Sequence, residues 1–454
     1  MSRRWKCTLL CAVVLVLGWN VATWAGPAPQ LRVGTFRCDV TPPIGGHPII
    51  WITPVQVVED PLWAKGVVLD DGQGRYVLCA VDWCGLSNSS HLLFRSKIAA
   101  AAGTDVSRVA VQCVHQHTAP YTDGDAQRLL DKTEQPPKYV DFKFLDEVTD
   151  RLAAAVRQSL ASLQPFDRIG AGQAEVRGVA SSRRIFVDGK LHGRMSSAKD
   201  PKLRALPEGD IDPMLKTITF ALGDKPLVRL HYYATHPQSF YGDPRASADV
   251  PGLARDRLEK KEGVPQVYFT GCSGDVAMGK YNDGTPEART QLAQRLFEGM
   301  EASVAATRFA PAHALVWRTA PLVLPVRGDR GYSQDEMRAR MADPKAAPIA
   351  RIRAANRVAF AERLSRPIDL SMLQIGKVCV VHLPGECMVE FQRFAQQARP
   401  DAFVAVAAYG DMAPGYVCTE RSYAEGGYEP SAAAAPPEGE AVLKAAMRNL
   451  MAED

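Results

Sequence analysis

Two histidines one residue apart, His115 and His117, close the apolar run at residues 108–114 (RVAVQCV), and Thr118, Pro120 and Gly124 turn the chain just after them. Imidazole serves as a metal ligand or as a base near neutral pH, so the pair has the atoms for either task. The pattern of an apolar run ending in polar residues recurs. Residues 226–234 end in Thr235-His236-Pro237, and residues 264–269 in Thr270-Gly271-Cys272-Ser273-Gly274-Asp275. Residues 378–383 end in Pro384-Gly385-Glu386, and residues 403–408 in a loop carrying Asp411 and Tyr416. Catalytic zinc sites take imidazole nitrogen and carboxylate oxygen as protein ligands and leave one position open for water. His115, His236 and Glu386 make such a set from three distant segments.

Each piece also has a plainer reading. Residues i and i+2 share a strand face, which lets both histidines reach one site, but a polar strand end is commonly structural. His236, before a proline, reads first as a hydrogen-bonded cap. Glu386 opens a helix from Cys387 onward, where a carboxylate suits the helix dipole. Tyr416 reads as a loop aromatic. Gly271-Cys272-Ser273-Gly274 lacks the GxSxG elbow of serine hydrolases, and its glycines suit a tight turn.

Positioning such residues requires strands that end together, and the periodicities supply them. Strand-like runs alternate with helical ones, which predicts a mixed α/β fold of layered sheets. Residues 66–69 and 76–81 form a hairpin across Asp70-Asp71-Gly72-Gln73-Gly74, and residues 216–222 and 226–234 a second across Gly223-Asp224-Lys225. Leu145, Val148, Leu152, Val156, Ser159 and Leu163 recur at helical spacing and predict an amphipathic helix over 144–163. A helix is predicted over 91–102. Ser333-Gln334-Asp335-Glu336 fits a capping box that opens an Arg/Ala-rich helical arm, interrupted at Pro344 and Pro348. Residues 431–439 (SAAAAPPEG) read as a linker before a final helix over 440–451.

The first 25 residues have the form of a cleavable secretory signal: Arg3, Arg4 and Lys6, a short apolar core, then Thr23-Trp24-Ala25 before Gly26. The core is too short for a permanent membrane anchor. The expected product is a secreted or periplasmic protein without a transmembrane segment, with 26–454 as a single domain. Loss of three of the 54 basic residues leaves 51 against 50 acidic ones, so charge gives no sign of a nucleic-acid partner. Eight of the ten cysteines remain; several sit in apolar strand-like runs, and no CxxC pair occurs.

In this order the segments resemble the N-terminal catalytic domain of the neutral (alkaline, non-lysosomal) ceramidases. The likeness opens at Gly34-Thr35-Phe36-Arg37-Cys38-Asp39-Val40-Thr41-Pro42 and runs through Ala80-Val81-Asp82 and His115-Gln116-His117-Thr118-Ala119-Pro120. Ile211-Asp212-Pro213, the His236 segment and Ser247-Ala248-Asp249 follow. Gly274-Asp275-Val276, Pro384-Gly385-Glu386 and the stretch from Gly415-Tyr416 to Tyr428 complete it.

The resemblance implies mixed β-sheets surrounded by helices, with zinc held by His115, His236, Glu386 and Tyr416. It makes His117 a proton-transfer or transition-state-stabilising group. Arg183, or its neighbour Arg184, would hold the polar end of the substrate, and Tyr428 would support the site or stabilise the oxyanion. The implied reaction is hydrolysis of the ceramide amide to a fatty acid and a sphingoid base, with a small-molecule or lipid substrate and room for peripheral membrane contact.

Two departures qualify it. The family's active-site serine falls at Ala277, so the expected nucleophile is zinc-bound water; Ser273, four residues earlier, does not inherit the role. Only 26 residues follow Tyr428, so a counterpart of the family's immunoglobulin-like C-terminal domain is not expected. Alternatives therefore stay open: a zinc hydrolase of another amide or ester, or a non-catalytic binding protein on the same scaffold.

Overall fold

The computed structural model describes residues 30–452 other than Leu364, so the signal segment lies outside the described residues. Four strands, β1 (Arg32–Asp39), β2 (Trp63–Asp70), β3 (Arg75–Val81) and β4 (Val109–Cys113), form a first sheet in the order β4-β3-β2-β1, which the short strand Gln164–Pro165 extends to five beside β1. Side chains alternate across these strands, and both faces are buried. Ala64, Val68, Val77 and Cys79 join one core, while Val67, Leu69, Leu78 and Ala80 join the other.

The second sheet runs β8-β7-β6-β5-β9, from β5 (Arg168–Glu175), β6 (Met214–Leu222), β7 (Lys225–Tyr233), β8 (Gln266–Thr270) and β9 (Arg308–Pro311). The third runs β10-β11-β12-β13, from β10 (Val316–Leu322), β11 (Ile368–Ile375), β12 (Val378–His382) and β13 (Phe403–Ala407). Helices α1 (Asn88–Ala102) and α2 (Phe142–Leu160) cover the first sheet, and α3 (Asp249–Glu262) and α4 (Pro286–Ala305) the second. The fold is thus mixed α/β, with layered mixed sheets surrounded by helices, as the alternation of runs predicts. Gly172 lets α4 close on β5: a Cβ there would lie 2.2 Å from the Ser303 carbonyl oxygen.

Each sheet is mainly antiparallel but holds one parallel pair: β3 with β4, β7 with β8, and β12 with β13. The carboxyl ends of these pairs are stitched together. The Gln112 side chain donates to the carbonyls of Leu383, Ala407 and Ala408 at 2.8–3.1 Å. Cys113 N–H donates to Tyr409 O (2.8 Å), and Ala408 N–H to Thr270 O (2.9 Å). Strand ends that converge this way place their following loops side by side.

Three local expectations change. β4 stops at Cys113, and His115 takes a left-handed φ of 74°, so the two histidines lie on a turn rather than on one strand face. No helix opens at Cys387. Glu386–Cys387 instead pairs in parallel with Tyr416–Val417, and the helix starts at Val389. Residues 433–435 are buried alanines packed into the first core, not a linker, because their small side chains let the chain lie flat on it. The capping box at Ser333 forms with both reciprocal bonds, and α5 (Gln334–Ala342) and α6 (Pro348–Glu362) build the predicted arm. The eight described cysteines are buried, free thiols.

Candidate metal centre

The turn after β4 is fixed from behind. Val114 and His115 donate their N–H groups to Val81 O and Trp83 O at 2.8 and 2.9 Å. Between those two carbonyls lies Asp82, which is held in a fully buried two-pronged ion pair with Arg255 (2.8 and 3.0 Å). His115 Nδ1–H donates to Cys84 O at 2.6 Å. His236, after β7, is placed likewise: its N–H donates to Val276 O, and its Nδ1–H to Ser273 O at 2.7 Å. A carbonyl only accepts, so both rings carry their proton on Nδ1 and present a lone pair at Nε2.

Those lone pairs face each other. His115 Nε2 and His236 Nε2 are 3.0 Å apart, and Glu386 Oε2 lies 3.4 and 3.1 Å from them. Glu386 Oε2 is buried and receives no hydrogen bond. Burial pushes the His236 pKa down to about 4, so that ring is neutral near pH 7. Three electron-rich atoms thus crowd one point with no proton to share, which favours a cation among them. Tetrahedral zinc with bonds of about 2.0–2.1 Å separates its ligand atoms by about 3.3 Å. The observed spacings match that edge, so the donor set fits zinc.

Parallel pairing of Glu386 with Tyr416 brings the phenol to the same cavity, where its hydroxyl accepts from Arg183 Nη1 at 3.0 Å. His117 Nε2 is 3.3 Å from His115 Nε2, and its buried Nδ1 has no partner. Arg183 is held by Glu429 (Nε to Oε1, 3.2 Å) and lines the cavity; Arg184 turns instead to Glu425 and Glu429. Tyr428 stands 5.6 Å from the Tyr416 ring, and the Arg183 guanidinium lies 5.2 Å from the Tyr428 ring centre. The cavity measures about 990 Å³ and is lined by His115, His117, Arg183, Glu386, Tyr416 and Tyr428. Ala277 is buried and does not line it. Its backbone bridges to His236 and pairs with Ser181. Ser273 is likewise occupied, its hydroxyl bonded to Tyr409 Oη at 2.7 Å.

Tyr409 is the supporting residue that sequence reasoning missed. Its ring stacks on His115 at 4.3 Å between centroids, and its hydroxyl bridges Ser273 to His236 Nδ1. Its place two residues after β13 was a usable signal, but only a left-handed φ of 61° turns the ring inward. Glu429, which fixes both arginines, carried no signal in a polar stretch.

No protein-family profile and no curated protein sequence matches the chain. Solved structures do. A crystal structure of neutral ceramidase from Pseudomonas aeruginosa aligns with a TM-score of 0.69 at 16% identity, over 93% of this chain and 74% of that one. A ceramidase described as complexed with C2 aligns with a TM-score of 0.69 at 14% identity, over 93% of this chain and 75% of that one. Within a mixed α/β architecture that joins His115, His236 and Glu386 in a buried cluster able to hold a metal, the chain has the neutral ceramidase fold.

Proposed function

We propose that this chain is an exported zinc-dependent hydrolase of an N-acyl amide bond, with 26–454 acting as one catalytic domain. The observation that carries the reading is the meeting of two Nδ1-locked imidazoles and an unpartnered carboxylate oxygen inside a large cavity. The shared fold supports the reaction class. His115, His236, Glu386 and Tyr416 are the residues that would hold the ion. When bound, zinc supplies a Lewis acid that polarises a carbonyl and lowers the pKa of water from 15.7 to about 7.

The protein's own groups supply the rest. His117, beside His115 in the cavity, takes up the proton of the attacking water at its imidazole nitrogen and returns it to the leaving amine. Arg183, anchored by Glu429, keeps its guanidinium against Tyr416 and offers positive charge where the carbonyl oxygen becomes negative. Tyr428 presents a phenol on the same side. With alanine at 277 and Ser273 engaged by Tyr409, water is the nucleophile.

Ceramide is the first substrate to try. Among the described residues no helix is long and apolar enough to cross a membrane, which suits a chain that meets its substrate from the aqueous side. Hydrolysis of a fluorescent N-acyl sphingosine is compared with short amides and esters, using zinc-loaded protein and His117→Ala. The reading predicts amide cleavage that His117→Ala slows at least a hundredfold while zinc is retained. Zinc-loaded protein that cleaves no amide or ester contradicts it. N-terminal sequencing of exported protein tests the signal, with Gly26 expected first.

A further inference from the structure

The cavity that holds the metal cluster continues to a mouth formed by the α5–α6 arm, and the charge there is one-sided. Arg340, Arg353 and Arg357 line that mouth, while Glu386 is the one carboxylate among the described residues lining the cavity. Arg183 already has its counter-charge in Glu429. No described carboxylate lies within ion-pair distance of Arg340, Arg353 or Arg357. Arg357 donates to Ser431 O (2.9 Å) and lies over Tyr332, and Arg353 lies 5.7 Å from the Trp51 ring centre.

Neighbouring arginines, Arg338 on α5 and Arg327 ahead of it, behave differently. Arg338, two residues from Arg340, pairs with Glu362 at 2.9 Å, and Arg327 pairs with Asp329. Arg338 and Arg327 therefore have a carboxylate counter-charge, and Arg340, Arg353 and Arg357 have none among the described residues. Burial, together with the charges of Arg327, Arg340 and Arg353, pushes the Arg357 pKa down, the mark of like charges held close. With charge nearly balanced over the rest of the chain, general basicity does not explain this cluster. Ile349 and Ala354 on α6 and Met412 opposite give the passage between mouth and metal an apolar wall.

Resting on the hydrolase reading above, we propose that the substrate is an anionic N-acyl amide, its scissile bond at the His115–His236–Glu386 cluster and its carboxylate, sulfonate or similar group against Arg340, Arg353 and Arg357. An anion there receives charge-assisted hydrogen bonds that a neutral alcohol cannot make. A neutral lipid such as ceramide leaves all three guanidinium groups unanswered.

The test uses three probes with one acyl chain: N-dodecanoylglycine, N-dodecanoyltaurine and the neutral N-dodecanoylethanolamine. Binding to zinc-loaded protein is measured by calorimetry and hydrolysis by release of dodecanoate, for the native chain, Arg353→Gln, Arg340→Gln and the double variant. Arg353 and Arg340 are exposed, so these variants fold, and melting temperatures check this. The expected result is at least tenfold preference for one anionic probe over the neutral one, falling about tenfold per arginine removed. The glycine and taurine arms distinguish carboxylate from sulfonate.

Equal or better use of the neutral probe, unchanged by either substitution, overturns the proposal and leaves the hydrolase reading standing. Selective, arginine-dependent binding of the anionic probes without cleavage of any probe sinks the hydrolase reading alone. Loss of binding to vesicles of phosphatidylglycerol in the double variant, with probe selectivity intact, assigns the cluster to a membrane surface and also overturns the proposal.

Discussion

Replacing Glu386 by glutamine keeps the shape of the side chain but turns a charged acceptor into a group that also donates. Without metal, the native site sets three acceptors 3.0–3.4 Å apart with no proton between them. The amide of Glu386→Gln can donate to the Nε2 lone pairs of His115 and His236, each bond contributing about 1 kcal/mol. An unfolding entropy of about 2.1 cal/mol/K per residue makes 1 kcal/mol equal to about 1 °C in a chain of this size. The metal-free variant should therefore melt about 1–2 °C above the metal-free native protein.

Zinc reverses the order. A unit charge about 4 Å from a dication interacts by about 8 kcal/mol at an effective dielectric of about 20. If desolvation offsets half of that, the variant still loses about three decades of affinity. Zinc at about 1,000 times the native Kd stabilises the native fold by about 4 kcal/mol, or about 4–5 °C, and the variant by under 1 °C. Differential scanning calorimetry at pH 7.5, with chelator and then with zinc, reads all four values. Equal zinc shifts in the two proteins, or a metal-free variant that melts several degrees lower, would refute the crowding of lone pairs on which the site rests.

Other perturbations have distinct signatures. Tyr409→Phe keeps the ring stacked on His115 but removes the hydroxyl that links Ser273 to His236, so zinc affinity should fall about 10–100-fold by competition with a chelating dye, with little change in melting. Gly274→Ala would put a Cβ 2.4 Å from Glu386 O; the shift this forces on the Glu386 strand should weaken zinc binding although no ligand changes. Acid lability should be steep. Burial lowers His47, His91 and His231 to about 4 and His382 to about 3, so between pH 6.5 and 4 the unfolded chain takes up protons that the folded chain refuses, and stability falls as pH falls. Asp123 and Asp275, raised by burial to about 7 and about 6, bind protons in the folded state over that window and offset about two of the four. These six groups together give about two protons, or about 2.7 kcal/mol per pH unit near pH 5, and His117 and His236, also lowered by burial, steepen the fall; urea midpoints read it, and a flat profile there contradicts it.

The meeting of His115, His236 and Glu386 was legible because each follows an apolar run that had to be a strand, and strand ends converge. What joins them was not. Register between Glu386 and Tyr416 comes from a two-residue parallel pairing too short to leave a periodic trace. His115 reaches His236 by a left-handed turn, where strand alternation would have given a different direction. The arm of α5 and α6 reads in sequence only as an Arg/Ala-rich helical stretch interrupted by prolines; its packing turns Arg353 and Arg357 toward the cavity while Arg338 faces Glu362. Residues 433–435 looked like a linker because alanine and proline carry no periodicity, yet small residues are what a chain lying on a packed core requires.

Elemental analysis of the purified protein, repeated for His115→Ala and His236→Ala, decides whether the cluster holds zinc. One zinc per chain is expected in the native protein and none in either variant, with both variants still folded by circular dichroism. A native protein that carries and takes up no divalent metal, or variants that retain a full equivalent, would contradict it.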